Sequence, residues 1–114
     1  MSKMTTQEVA TMIRSMGFPY AYYQFDDDPD NPAPKPPFIC FFYSNSDDVY
    51  ADNANFVGVA ELHIEAYTRK KDFSVEKRVE SVLMQHGLTW QRQETRLDSE
   101  EMHLTIYTME VMLE

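Results

Sequence analysis

Cysteine, glycine and basic residues are all scarce in this chain of 114 residues. Cys40 is the single cysteine, so no disulfide can form within the chain, and its place in an apolar run predicts a buried, unreactive thiol. Three glycines leave little from which to build a phosphate-cradling loop. No apolar run approaches the roughly 20 residues of a membrane-spanning helix, and "MSKMTTQEV" lacks the apolar region of a signal peptide. We therefore expect a protein that is made in a cytoplasm and does not contact a membrane.

Acidic residues dominate the charge. Ten Lys and Arg stand against 19 Asp and Glu, which gives a formal net charge of −9. Binding to nucleic-acid phosphates depends on Lys and Arg that release counterions, so specific binding to DNA is not expected. Beside DNA, this chain should be repelled.

The length predicts one domain, residues 1–114. A capping-box pair, Thr5 and Glu8, and the stop signal Gly17 bound a first helix. A second helix is expected over 70–87, with Asp72 as its cap. Segments in which polar and apolar residues alternate, and segments that are apolar throughout, predict five strands, at 21–25, 38–44, 56–69, 88–96 and 102–113. The order α-β-β-β-α-β-β indicates an α+β fold, a mostly antiparallel sheet of about five strands with two helices packed on one face.

Two polar loops interrupt this pattern. Residues 26–37, "DDDPDNPAPKPP", combine acids with prolines and predict an extended loop held away from the sheet. Residues 45–55 form a second, long polar connection. The first loop lacks the glycine turn and the final bidentate Glu of an EF-hand, so a solvated acidic loop is favoured over a Ca²⁺ site.

Catalytic and metal-binding patterns are weak. His63, His86 and His103 lack the short spacing of a metal-binding helix, although His63 and His103 could meet across the sheet. No Ser-His-Asp signature, nucleophile elbow, Walker loop or dinucleotide fingerprint occurs. We expect no enzyme activity, no catalytic residues, no metal and no cofactor.

One basic cluster is present, Arg69, Lys70 and Lys71, at the start of the second helix. The ordinary interpretation of this cluster is a solvated start of the helix. Cations are mildly unfavourable at a helix N-terminus, however, so we also consider a role in contacts between copies of the chain. An acidic loop at one place and a basic patch at another suit head-to-tail association of identical copies. "FICFFY" and "MHLTIYTMEVML" are apolar on both faces, more than two narrow helices can cover, and this indicates burial by other subunits.

Residues 38–113 resemble the tail-terminator (tail-completion) proteins of long-tailed phages and prophages of Gram-positive bacteria. That family has a "Y-x-D-N" loop, an "x-I-E-L-Y-T-K-x-K-D" strand, an "E-x-x-V/I-E-x-x-L" helix, an aromatic-containing strand and a strand with Tyr and Glu three residues apart. The matching residues follow these five features in order: Tyr50, Asp52, Asn53, Ile64, Glu65, Tyr67, Thr68, Lys70, Lys71, Asp72, Glu76, Val79, Glu80, Leu83, Trp90, Tyr107 and Glu110. The proline-rich loop has no counterpart in the pattern.

The resemblance implies an α+β fold and a homo-oligomeric ring, commonly hexameric, in the virion tail. Such a ring caps the head-proximal end of the tail tube, stops its growth and meets the neck or head-completion protein. DNA would pass through its bore without specific binding. The aspartates of the two loops are expected to contact the bore or the tube: Asp26, Asp27, Asp28, Asp30, Asp47, Asp48 and Asp52. Arg69, Lys70 and Lys71 would contribute to ring closure.

Two alternatives remain open. The first is a head-completion or connector protein of the neck, which also forms a ring. The second is a monomeric acidic binding or regulatory module of a prophage, with acidic loops that mimic nucleic acid or hold Ca²⁺.

Overall fold

The computed structural model describes residues 2–44 and 58–114. Within these ranges it has an α+β fold with two helices and a mixed sheet of six strands. In chain order the elements are β1 (Ser2–Met4), α1 (Thr6–Ser15), β2 (Tyr20–Tyr22), β3 (Phe38–Ser44), β4 (Gly58–Thr68), α2 (Phe73–Gln85), β5 (Gln91–Leu97), a short 3₁₀ turn (Asp98–Glu100) and β6 (Met102–Leu113).

The sheet is larger and less antiparallel than the sequence predicts. Its strand order is β1-β6-β4-β3-β2, and β5 also pairs with β6. β3, β4, β5 and β6 form antiparallel pairs, whereas β1 pairs with β6 and β2 pairs with β3 in parallel. The expectation of about five mostly antiparallel strands is therefore corrected. Both parallel strands have three residues, too few to show a periodic pattern.

The alternation in β4 sets the two faces of the sheet. Ala60, Leu62, Ile64 and Ala66 are all buried on one face, as the sequence predicts. The intervening residues of β4 are exposed or half-buried on the other face. One face of the sheet therefore carries the core, and the other is only partly covered.

Both helices pack on the buried face. α1 begins with the predicted capping box, because the Thr5 hydroxyl accepts from the Glu8 amide and the Glu8 carboxylate accepts from the Thr5 amide. Arg78 of α2 donates to the main-chain oxygen of Met16 at 3.2 Å, which links α2 to the end of α1. The buried apolar side chains of both helices share one cluster with the sheet: Val9, Met12, Ile13, Met16, Val75, Val79, Val82 and Leu83.

The acidic, proline-rich loop is a crossover connection. Because β2 and β3 are parallel neighbours, the chain between them must return along the length of the strands. Tyr23 has a left-handed φ of 70° and ends β2, so the strand predicted at 21–25 stops at Tyr22. The peptide bond between Pro36 and Pro37 is cis.

The bounds of three further elements depart from the sequence prediction. β5 covers Gln91–Leu97 rather than 88–96, because Leu88 is buried in the core ahead of the strand and Trp90 packs against that core. β4 ends at Thr68 rather than at residue 69, and α2 covers Phe73–Gln85 rather than 70–87. Positions 56 and 57 of the predicted strand lie outside the described residues. Among the described residues, no helix is both long enough and apolar enough to cross a bilayer.

Candidate functional site

The four aspartates of the first loop are all exposed, but they have different surroundings. The Asp28 carboxylate accepts hydrogen bonds from the amides of Asp30 and Asn31, at 3.0 and 2.8 Å. The Asp27 carboxylate accepts from the Ala33 amide at 3.2 Å. These bonds hold a local turn, as Asx motifs do. Two of the four acids therefore have a local structural role, and the loop is not uniformly extended.

The base of this loop is attached to the sheet by aromatic contacts. The rings of Phe25 and Phe38 meet edge to face, with centroids 5.4 Å apart. Further along, Ala33, Pro34 and Pro36 line a cleft of about 390 Å³ whose opposite wall comes from the 3₁₀ turn before β6. The prolines thus lie against the end of the sheet rather than holding the loop free of it.

The acids predicted on the second loop, Asp47, Asp48 and Asp52, lie outside the described residues. The loop prediction for 45–55 lies there as well. Their assignment to the bore or to the tube stays a prediction.

The basic cluster is divided. Arg69 and Lys70 are exposed at the end of β4. Lys71 turns inward, where its ammonium donates to Glu76 at 3.0 Å and to Glu94. The exposed basic surface next to α2 is therefore formed by Arg69 and Lys70, and the ring contact assigned to all three lysine and arginine residues remains a prediction.

The sheet face opposite the helices carries an aromatic surface. Phe38 stacks on Tyr67 with centroids 4.8 Å apart, and Phe42 stacks on His63 at 4.7 Å. Tyr23 meets Phe42 edge to face. These cross-strand stacks follow the β3–β4 register, which places Phe38 opposite Tyr67 and Phe42 opposite His63. We call this surface, formed by Tyr23, Phe25, Phe38, Phe42, His63 and Tyr67, the aromatic face.

His63 has polar contacts as well as its stack. Its Nε2 lies 3.0 Å from a carboxylate oxygen of Glu61 and 2.9 Å from the Ser44 hydroxyl. His103 does not reach it, because the β4–β6 register pairs His63 with Thr108 and His103 with Thr68. Those positions lie on opposite faces of the sheet, so the two histidines do not meet, and the alternative of a histidine pair across the sheet is excluded.

A notch lies along one edge of β6, between the residues that pair with β5 and those that pair with β1. β5 pairs with β6 as far as Thr108, and β1 resumes the pairing at Val111. Between them lies a cavity of about 370 Å³, lined by Trp90, Glu61 and Glu110 among others. Glu61 and Glu110 are direct cross-strand partners, and like charges in that relation are destabilising. The notch therefore presents two carboxylates and an indole where a cationic group of a partner would be stabilised.

The densest charged cluster lies on the helix side, between α2 and the β5–β6 hairpin. Glu76 is buried, and one of its oxygens accepts from Lys71 and from Arg92, both at 3.0 Å. Arg92 also reaches Glu80 at 3.0 Å. His103 Nε2 lies 3.0 Å from a carboxylate oxygen of Glu94. This cluster, which we call the α2 ion cluster, comprises Lys71, Glu76, Glu80, Arg92, Glu94 and His103.

Electrostatics in this cluster follow from those contacts. The hydrogen bond with Lys71 holds the pKa of Glu94 below its usual value, and the same bond raises the pKa of Lys71. Burial, followed by the hydrogen bond to Glu80, raises the pKa of Tyr107. Glu94 and Lys71 are thus charged at neutral pH, and the Tyr107 phenol is neutral.

Sequence reasoning missed the α2 ion cluster. A usable signal was present, because Glu76 and Glu80 are four residues apart on α2 and Arg92, Glu94 and Arg96 alternate along β5. Both patterns place charges on one side of their element. The sequence alone does not show that the charged side of α2 faces the charged side of β5.

No protein-family model matches the chain. A comparison with curated proteins likewise finds no relative.

Proposed function

We propose that this protein is a tail terminator of a long-tailed phage or prophage. It would form a hexameric ring at the head-proximal end of the tail tube, where it stops tube growth and joins the neck. The observation that carries the proposal is the ordered series of family features in residues 38–113, from "YADN" through "EAYTRKKD" and the second helix to Tyr107 and Glu110. It would act in the virion tail after assembly in the host cytoplasm, without catalysis.

The arrangement of those residues supports the proposal. Lys71 and Glu76, both part of the series, are 3.0 Å apart, and the Tyr107 hydroxyl donates to Glu80 at 2.9 Å. Tyr107 and Glu80, which are 27 residues apart in the series, therefore contact each other in one folded unit.

The aromatic face supports association with further copies or with tube subunits. No helix packs on this side of the sheet in the described part of the chain, because α1 and α2 share the opposite face. Tyr23 is 62% exposed there, although aromatic side chains stabilise interfaces most when they are desolvated. Burial of this surface in a ring, or against the tube, would remove it from water.

The charge distribution suits passage of DNA through the ring. A net charge of −9 and the exposed Asp26, Asp27, Asp28 and Asp30 would repel the phosphate backbone if the first loop faces the bore. Asp47, Asp48 and Asp52 are the second proposed set. Arg69 and Lys70 would face an acidic surface of the next copy, for which the notch at Glu61 and Glu110 is a fitting partner.

Light scattering on the purified protein, alone and with polymerised tail tubes, tests the proposal. We expect a ring either alone or on the tubes, and tubes capped at one end. Phe42→Ser on the aromatic face should weaken this assembly, whereas the control Met84→Ser, on a side chain that is 62% exposed near the end of α2, should not. A protein that stays monomeric with tubes present would overturn the proposal.

The same measurements separate the alternatives. Co-sedimentation with filled heads, and not with tubes, would indicate a head-completion or connector protein. A monomer whose melting temperature rises with millimolar Ca²⁺ or with a basic partner would indicate the acidic binding module.

A further inference from the structure

The α2 ion cluster contains three groups that can ligate a metal and that come from three different elements. Glu76 lies in the first turn of α2, Glu94 on β5 and His103 on β6. One ligand atom from each lies within 4.8 Å of the other two. We propose that Glu76, Glu94 and His103 form a binding site for a divalent transition metal, with Zn²⁺ as the ion that fits best, which is bound when Lys71 moves aside.

The donor set fits such an ion. Two carboxylates and one neutral imidazole carry a charge of −2, which balances a divalent cation. Zn²⁺ accepts carboxylate oxygen and imidazole nitrogen at about 2.0–2.2 Å, and three protein ligands with one water complete its tetrahedron. The ligand atoms of Glu94 and His103 are already 3.0 Å apart, close to the edge of a tetrahedron with such bond lengths. All three ligand atoms lie within 4.8 Å of one another, so they must move closer together to bind one ion.

Lys71 occupies the place of the cation. Its ammonium bridges Glu76 and Glu94, the two carboxylates of the proposed site. The ammonium therefore occupies the position between the two carboxylates where a metal ion would bind. It carries a single positive charge, and His103 cannot ligate it as it would a metal ion. Lys71 precedes the helix cap and its side chain is 35% exposed, so it can leave without disturbing α2. In this same position the ammonium also lies 5.0 Å from the centroid of the Phe73 ring.

A second observation points to a ligand. The side chain of Glu76 is 5% exposed, and its Oε2 has no hydrogen-bond partner among residues 2–44 and 58–114. A buried carboxylate oxygen without a partner is costly, and native proteins rarely leave one. Lys71 and Arg92 both bind the other oxygen, Oε1. A metal bound by Glu76 through both oxygens, or through Oε2 alone, would supply the missing partner and leave Oε1 to Arg92.

The site is held in place by its surroundings. The Asp72 carboxylate caps α2 through the amides of Ser74 and Val75, which fixes the turn that carries Glu76. Glu94 and His103 lie on paired strands in the β5–β6 register. Binding would therefore require displacement of the Lys71 ammonium and a closer approach of the ligand atoms, while the backbone that carries them is already held in place. The inference does not depend on ring assembly, since all three ligands belong to one chain.

Titration calorimetry with ZnCl₂, on protein first dialysed against a chelator, tests the site, with thermal unfolding in parallel. We expect one Zn²⁺ per chain and a higher melting temperature. Lys71→Met removes the competing ammonium and should tighten binding. Glu94→Gln and His103→Gln should each weaken it by roughly tenfold or more, since loss of even an outer-shell partner typically costs that much. Both residues lie on the β5–β6 hairpin, where a substitution could affect folding. Circular dichroism should therefore be used to verify that each variant is folded.

His86→Gln is the matched control, because His86 is exposed at the end of α2, away from the proposed ligands, and should leave binding unchanged. The proposal is overturned if neither the wild type nor Lys71→Met shows saturable binding. It is equally overturned if Glu94→Gln and His103→Gln bind Zn²⁺ as tightly as the wild type. Neither result would bear on the tail-terminator assignment, which is tested by mass and tube binding.

Discussion

The hydroxyl of Tyr107 on β6 donates a hydrogen bond of 2.9 Å to the Glu80 carboxylate on α2. Tyr107 is fully buried, so this bond joins the helix layer to the sheet from inside the core. Arg92 of β5 donates to the same Glu80 oxygen from the partly exposed side. One carboxylate thus connects α2 to two strands.

Tyr107→Phe should lower the free energy of unfolding by about 1–2 kcal/mol, because a buried hydrogen bond to a charged group is lost while the ring remains. Tyr43→Phe is the matched comparison. The Tyr43 hydroxyl is buried without a partner in the described part of the chain, so its removal should be neutral or stabilising. Urea unfolding of both variants measures the difference. A loss for Tyr43→Phe as large as that for Tyr107→Phe would contradict this account.

Cys40 should be almost inert to thiol reagents in the folded protein. It is 4% exposed, and burial, with a further contribution from Glu65, raises its pKa to about 11. At pH 8 only about one thiol in a thousand is then ionised, and the thiolate is the reactive form. Labelling with a chromogenic disulfide should be slow in buffer and fast in denaturant. Equal rates in both would show that the thiol is accessible.

Asp72→Ala should destabilise the protein by about 1 kcal/mol at neutral pH, through loss of the cap of α2. Hydrogen bonds, first from the Ser74 hydroxyl, hold the pKa of Asp72 below its usual value. A lowered pKa means that the stabilisation is complete above the unfolded pKa of about 4 and is lost as the pH falls through the folded pKa. The gap between wild type and Asp72→Ala should therefore narrow in acid.

Asp72→Asn provides the control for this pH dependence, since an asparagine caps without titrating. Its stability relative to Asp72→Ala should not change with pH. Thermal unfolding at neutral and acidic pH distinguishes the variants, and a constant gap between wild type and Asp72→Ala would count against a titrating cap.

Deletion of residues 27–34 should spare folding and impair assembly. Residues 23–26 and 35–37 remain between β2 and β3, and seven extended residues reach about 23 Å. To begin the parallel strand β3, the chain must run back along the length of the three residues of β2, which is only about 10 Å. Circular dichroism should show a folded protein, and tube binding should fall. The double variant Asp26→Asn with Asp30→Asn removes charge but keeps the turn at Asp28. It therefore isolates the electrostatic contribution of the loop to assembly. A deletion variant that unfolds would show that the loop is needed by the fold.

Long, patterned elements could be read from the sequence. The alternation of β4 gave the buried set Ala60, Leu62, Ile64 and Ala66, and β3 and β6 have the predicted bounds. The capping box of α1 and the Asp72 cap of α2 are also confirmed. In each case several residues repeat one signal, so local chemistry and tertiary packing agree.

The parallel pairs and the α2 ion cluster could not be predicted in this way. β1 has a single buried residue, Met4, and its pairing with β6 is a tertiary contact with no local signature. The inward turn of Lys71 depends on where β5 places Glu94, a residue 23 positions away. Proximity across such distances is set by topology, which the periodicity of one segment does not contain.

The single-sided packing of the helices restricts the symmetry of any assembly. If the aromatic face met its own copy, the contact would be isologous, and the result would be a closed dimer of four layers with no free copy of that surface. A ring of more than two subunits requires heterologous contacts, in which two different surfaces of each subunit meet. Within a ring, the aromatic face must therefore meet another surface of the neighbour, or stay free for the tube.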